Sequence, residues 1–158
     1  MAPVDFETRL NSYQMVGIDT LVFIYHFEGN PRYVPLTTSL FRRIETGGMN
    51  AITSVLTLVE LLTGPKKLGK DQLAATYERL LSVFPNLSLL PVDHTIARLA
   101  ADLRTEYGLR TPDALHIATA MQSGAQAFIT NDRSMRKVSH LEIVMLDDYV
   151  SGDIPSRS

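Results

Sequence analysis

A chain of 158 residues with 45% hydrophobic and 20% charged side chains has the size and make-up of one globular domain, not of a disordered or low-complexity protein. Its 15 Lys and Arg against 17 Asp and Glu give a formal charge of −2 and a pI near 6.1. That excludes a generic basic coat, so any polyanion contact rests on a local patch. With no cysteine, disulfides, thiol nucleophiles, iron–sulfur clusters and sulfur-ligated zinc are excluded, and the four His, at 26, 94, 116 and 140, form no H-x-x-x-H pair.

Residues 1–14 read as a short, polar, irregular extension carrying Asp5 and Glu7, which does not resemble the basic start of a signal peptide. A brief apolar run over 15–18 ends at Asp19 and suits a buried parallel strand. The apolar stretch 16–27 is broken by Asp19 and His26 and is too short to span a bilayer, so a soluble, cytoplasmic protein is expected. A helix over 21–27 stops at Glu28-Gly29-Asn30-Pro31. A second begins near Pro35 and ends at Gly47-Gly48. A strand over 51–54 leads to Ser54, a cap for a helix through Thr63 with Gly64-Pro65 as its stop.

Apolar residues at helical spacing predict a helix over 71–83, then a strand over 87–92 and an amphipathic helix over 94–107 ending at Gly108. Thr111-Pro112-Asp113 reads as a helix start with cap, Pro and first-turn acid, running to Ser123-Gly124. Strands over 127–130 and 141–145 close the pattern, with a helical turn around 134–138 between them. Strands alternating with helices predict an α/β fold with a mainly parallel sheet, in one domain over 15–150 followed by a tail at 151–158.

The informative residues are acids that interrupt this pattern. Asp19 stands at the carboxyl end of the first strand, the edge where open α/β sheets gather ligands, although alone it reads equally as a helix cap. Glu60 lies in Val55-Leu56-Thr57-Leu58-Val59-Glu60-Leu61-Leu62, apolar on nearly every face, which predicts a buried helix. A carboxylate there needs a cation or strong donors, and no Lys or Arg lies one turn away. Asp113 alone is explained as a helix-start acid, and Asp132, after the strand ending at Thr130-Asn131, as a turn residue. Together the four occupy positions that converge at the carboxyl edge of a parallel sheet. Clustered carboxylates without sulfur suit a hard ion, Mg²⁺ or Mn²⁺, and hence phosphodiester chemistry.

Four segments in order resemble the PIN domain, and within it the VapC-type toxin ribonucleases of bacterial toxin–antitoxin pairs. They are Ile18-Asp19-Thr20 with the helix that follows, Thr57-Leu58-Val59-Glu60-Leu61-Leu62-Thr63-Gly64, Arg110-Thr111-Pro112-Asp113-Ala114-Leu115-His116-Ile117-Ala118-Thr119-Ala120, and Phe128-Ile129-Thr130-Asn131-Asp132. The resemblance implies a three-layer α/β/α fold and Mg²⁺- or Mn²⁺-dependent cleavage of RNA. It makes Asp19, Glu60, Asp113 and Asp132 the catalytic metal site, with Thr20 and Thr130 bonding the carboxylates or the attacking water. It also implies a small antitoxin partner and a homodimer. Leu21 departs from the family, many members of which carry a small polar residue there.

Arg133, Arg136 and Lys137, with His140, follow Asp132 and are candidates for RNA phosphate contacts, or else an ordinary solvated face. His116, one turn after Asp113, either touches the groups around the acids or, the favoured reading, is a satisfied core or surface histidine. Two other readings stand beside the nuclease. One is a PIN-like binding module without catalysis. The other is a receiver-like phosphoacceptor domain, which wants a Lys after its last strand and finds none beyond Lys137.

Overall fold

Five strands of four or five residues make up the centre of the molecule, in a computed structural model that describes residues 4–150: β1 (Met15–Ile18), β2 (Asn50–Ser54), β3 (Leu87–Leu90), β4 (Ala127–Thr130) and β5 (Glu142–Met145). They form one sheet in the order β3-β2-β1-β4-β5, every pairing parallel. Five helices lie on one face: α1 (Val4–Leu10), α2 (Thr20–Phe27), α3 (Val34–Glu45), α4 (Leu56–Lys67) and α5 (Asp71–Val83). The other face carries α6 (His94–Tyr107) and α7 (Thr111–Gln122).

The two faces follow from the period of two along each strand. Val16, Ile18, Ala127 and Ile129 enter one core with Phe23, Leu40 and Leu61. Ile52 and Phe128 enter the other with Leu103, Ile117 and Ala118. The chain builds outward from β1 to β2 and β3, then crosses back under α6 and α7 to place β4 on the other side of β1. β1 and β4 therefore flank the point where the winding reverses, and their carboxyl ends form the crevice in which such sheets hold ligands. The expected three-layer α/β/α architecture is present. The tail at 151–158 lies outside the described residues.

Three local expectations are corrected. The segment read as an irregular extension forms α1, whose Phe6 and Leu10, one turn apart, are fully buried in the same core as β1. Seven residues give too little length for helical periodicity to stand out from Asp5, Glu7 and Arg9 on the other face. Arg9 also ties α1 to the far end of the chain, donating to the hydroxyls of Tyr13 and Tyr149 at 2.8 Å each.

The helix expected to stop at Gly64-Pro65 instead continues to Lys67. Pro65 forfeits one backbone donor near the helix end, and the next turn closes through Leu68 N–H on the Gly64 and Pro65 carbonyls; the stop is Gly69, at φ 71°. At α7 the capping position is Arg110, and Thr111 is the first helical residue rather than the cap.

Candidate active site

Asp19 caps α2, as an acid after a parallel strand tends to do. Its Oδ1 accepts the Thr20 N–H at 2.8 Å and its Oδ2 the Thr130 hydroxyl at 2.6 Å. The cap does not compete with a site role, because it fixes the carboxylate in one orientation beside β4. Burial pushes the Asp19 pKa up and the Glu60 charge adds to the rise, against opposing pulls from His116, Thr130 and Thr20. Among the described residues no Lys or Arg pairs with it.

Thr130 links two acids. While its hydroxyl donates to Asp19, its oxygen accepts the Asp132 N–H at 3.0 Å. Asp132 Oδ1 accepts from Ser134 N–H at 2.9 Å and from the Ser134 hydroxyl at 2.8 Å, capping the short turn Arg133–Met135. The turn reading of Asp132 is thus correct in its geometry, and the same turn holds the side chain at the end of β4.

Glu60 differs most from the sequence reading. Its helix is not buried all round: within α4 only Thr57 and Leu61 are buried, Val59 is 61% exposed, and the Glu60 side chain is 33% exposed. Nor is the carboxylate without partners. His116 Nε2 lies 2.7 Å from Oε1, which also accepts the Thr20 hydroxyl at 2.6 Å. Burial works against the ionised form, but His116 and Thr20 outweigh it and hold the Glu60 pKa below the ordinary range.

His116 is 2% exposed. Desolvation disfavours its charge, yet Glu60, Asp19 and Asp113 outweigh that and raise its pKa. Its Nδ1 is buried without a partner. Behind Thr20 runs a string of buried hydroxyls: Thr20 to Thr57 at 3.1 Å, Thr57 to Thr53 at 2.8 Å, and Thr53 donating to the Ile18 carbonyl at 2.8 Å. Thr20 and Thr53 spend their protons on Glu60 and Ile18, so the single proton of Thr57 goes to the nearer neighbour, Thr53.

Asp113 lies in the first turn of α7, 6% exposed, with Oδ2 3.3 Å from Arg110 Nε. Burial raises its pKa, Arg110 opposes the rise, and Asp132 adds to it. The predicted acids thus fall into two pairs, Asp19 feeling the charge of Glu60 and Asp113 that of Asp132, with His116 facing Asp19, Glu60 and Asp113 between them. Of the predicted phosphate contacts, Arg136 is bonded through both terminal nitrogens to Asp148, at 2.7 and 3.0 Å. Arg133 and Lys137 are exposed.

A sequence profile of the PIN domain family matches residues 16–141, spanning all four acids. The chain belongs to the PIN domain family. Its fold is similar to DNA-bound VapBC from Salmonella typhimurium, with a TM-score of 0.65 at 21% identity over 84% of this chain and 98% of that one. It is also similar to VapBC2 from Rickettsia felis bound to a promoter DNA fragment, with a TM-score of 0.63 at 18% identity over 82% and 96%. A toxin–antitoxin complex from Klebsiella pneumoniae gives 0.61 at 21% identity over 83% and 97%. No curated protein matches the chain. Membership in the family removes the receiver-like reading, which also lacked its Lys after the last strand.

As the side chains of this PIN domain lie, no three Asp, Glu or His among the described residues enclose a single point. Asp113 is drawn to Arg110 and Asp132 to Ser134, each through one oxygen. The donor chemistry nevertheless fits a hard divalent ion. Every candidate donor is a carboxylate oxygen, Glu60 Oε2, Asp113 Oδ1 and Asp132 Oδ2 accept no side-chain bond among the described residues, and Asp19 and Asp113 carry buried charge that raises their pKa values. Among the described residues no helix is long and apolar enough to cross a membrane.

Sequence reading missed His116 as a partner of Glu60, and Thr53 and Thr57 as the support behind Thr20. A histidine one turn after Asp113 was the only signal for the first. Nothing in the local pattern marked the threonines.

Proposed function

We propose that this PIN domain is a Mg²⁺- or Mn²⁺-dependent endoribonuclease that hydrolyses RNA phosphodiesters, and that it is the toxin of a toxin–antitoxin pair. The observation that carries the reading is that Asp19 and Asp132 follow the paired strands β1 and β4 at the sheet's carboxyl edge, with Glu60 tied to Asp19 through Thr20, Thr130 bonded to Asp19, and Asp113 in the first turn of α7. These four would hold the ion. Such an ion supplies water activation and neutralises charge on a phosphodiester.

The protein's own groups do the rest. Thr130 fixes Asp19 and the Asp132 backbone together, so the two acids move as one unit. Glu60 is kept ionised and aimed by Thr20 and His116. Asp19 and Asp113 are the two buried acids, so their charges are the least screened by solvent. Arg133 and Lys137 would meet flanking phosphates; Arg136 would have to leave Asp148 to do so.

The solved relatives named above include toxin–antitoxin complexes, which supports a small antitoxin protein as partner; a homodimeric toxin in a cytoplasmic setting completes the proposal. The test is cleavage of a broad RNA panel with Mg²⁺, Mn²⁺ or EDTA by the wild type, Asp19→Asn and Asp113→Asn. Activity is expected with either ion and lost with EDTA or either substitution; activity that persists in EDTA sinks the mechanism. Mn²⁺ binding without cleavage of any RNA favours instead a PIN-like binding module, consistent with carboxylates that do not enclose one point as they lie.

A further inference from the structure

Arg110 has no role in the reading above. It occupies the capping position of α7 with extended backbone (φ −68°, ψ 156°) and makes no capping bond, so its side chain does nothing for the helix end. Its Nε lies 3.3 Å from Asp113 Oδ2, and that bond uses one of the five N–H donors of the guanidinium. The side chain is 76% exposed, which leaves the terminal nitrogens open to solvent beside the acids. Asp113 is the acid it touches, and the charges of Asp132 and Glu60 act on it from farther off.

Two other arginines are engaged elsewhere. Arg136 is engaged through both terminal nitrogens with Asp148, and Arg104 Nε donates to the Leu109 carbonyl. The i,i+3 pair joins an exposed guanidinium to a buried carboxylate, so solvent screens it from the arginine side. A guanidinium held loosely over a cluster of carboxylates is instead matched to a phosphate oxygen arriving there. It presents a planar fork, and it offsets the repulsion that a phosphodiester meets from the acids.

We infer that Arg110 is the residue through which this site grips the backbone phosphate of a single-stranded RNA beside the bond to be cut, with Arg133 and Lys137 left to phosphates farther along the strand and Arg136 held by Asp148. The inference rests on the ribonuclease reading. It is tested in the full chain with Arg110→Ala, Arg110→Lys and Arg136→Ala. Two measurements are made: kcat and KM for a fluorogenic RNA in Mn²⁺ over a range of KCl, and binding of a labelled single-stranded RNA by anisotropy in EDTA.

Arg110→Ala is expected to remain folded, to lower kcat/KM about tenfold or more, to weaken binding several-fold, and to reduce the slope of log affinity against log salt by about 0.7, one phosphate contact on a single strand. Arg110→Lys should keep the slope and recover part of the affinity, because it keeps the charge but loses the fork. Arg136→Ala should leave the binding slope unchanged. Wild-type slope and kcat/KM in Arg110→Ala overturn the inference, as does an equal loss in Arg136→Ala, which reports general charge and not a specific contact. A wild type that neither binds nor cleaves RNA refutes the ribonuclease reading itself, which separates the two failures.

Discussion

Gly17, at the centre of β1, decides how closely α7 approaches the sheet. A Cβ added there would lie 2.8 Å from Ala120 Cβ, 3.0 Å from Phe128 Cδ1 and 3.5 Å from Ile52 Cδ1, where carbon atoms ordinarily rest about 3.5–4.0 Å apart. Gly17→Ala must therefore push α7 outward by several tenths of an ångström at Ala120, and Asp113 and His116 ride on the same helix. Overpacking of this kind costs about 1–3 kcal/mol, of which the lost freedom of the unfolded chain returns roughly 0.4–1 kcal/mol. A net loss of about 1–2 kcal/mol lowers Tm by roughly 2–8 °C for a chain of this size.

The assay is thermal unfolding by circular dichroism in EDTA, with Gly64→Ala as control. Gly64 is helical and a Cβ there meets nothing within 4 Å, so that substitution should be neutral or stabilising. Ala120→Gly in the Gly17→Ala background removes the nearest clash, and a favourable coupling of about 0.5 kcal/mol or more is expected between the two sites. If Gly17→Ala melts at or above the wild type, the close approach of α7 to β1 is wrong. The position of Asp113 argued from it is then wrong too.

Thr130→Val removes the donor to Asp19 and the acceptor of the Asp132 N–H, both buried. A loss of about 1–3 kcal/mol in chemical denaturation is expected, together with loss of RNA cleavage. Phe6→Ala should cost about 3–5 kcal/mol if α1 is part of the fold; an unchanged denaturation midpoint would return residues 4–10 to the status of an extension. In EDTA, stability should fall as pH rises above about 6.5. His116 has a raised folded pKa, so its stabilisation is complete below the unfolded value and disappears as pH climbs through the folded one. His116→Gln should flatten that slope, read from urea denaturation at pH 6 and pH 8.5; an identical slope in both proteins refutes the His116–Glu60 pairing.

What the sequence determined by itself was the class of fold and the acids. Buried parallel strands appear as short apolar runs, and an Asp after such a run marks the carboxyl edge because the edge is set by chain direction alone. Asp19 and Asp132 were legible for that reason, and Asp113 because Thr111-Pro112-Asp113 is a local helix-start signal. α1 was not legible, since two buried side chains in seven residues make no period.

Only the tertiary structure decided what surrounds the acids. The strand order placed β4 beside β1 and so gave Thr130 to Asp19, residues 111 positions apart. The pairing of Glu60 with His116, 56 positions apart, turned an apparently unpartnered acid into a held one. Arg110 follows the same logic on a shorter scale. The net charge of −2 says nothing of where cations stand, whereas the fold sets this one at the mouth of the acid cluster. Side-chain partners across a sheet are fixed by packing between distant segments, and packing leaves no trace in the local pattern of either one.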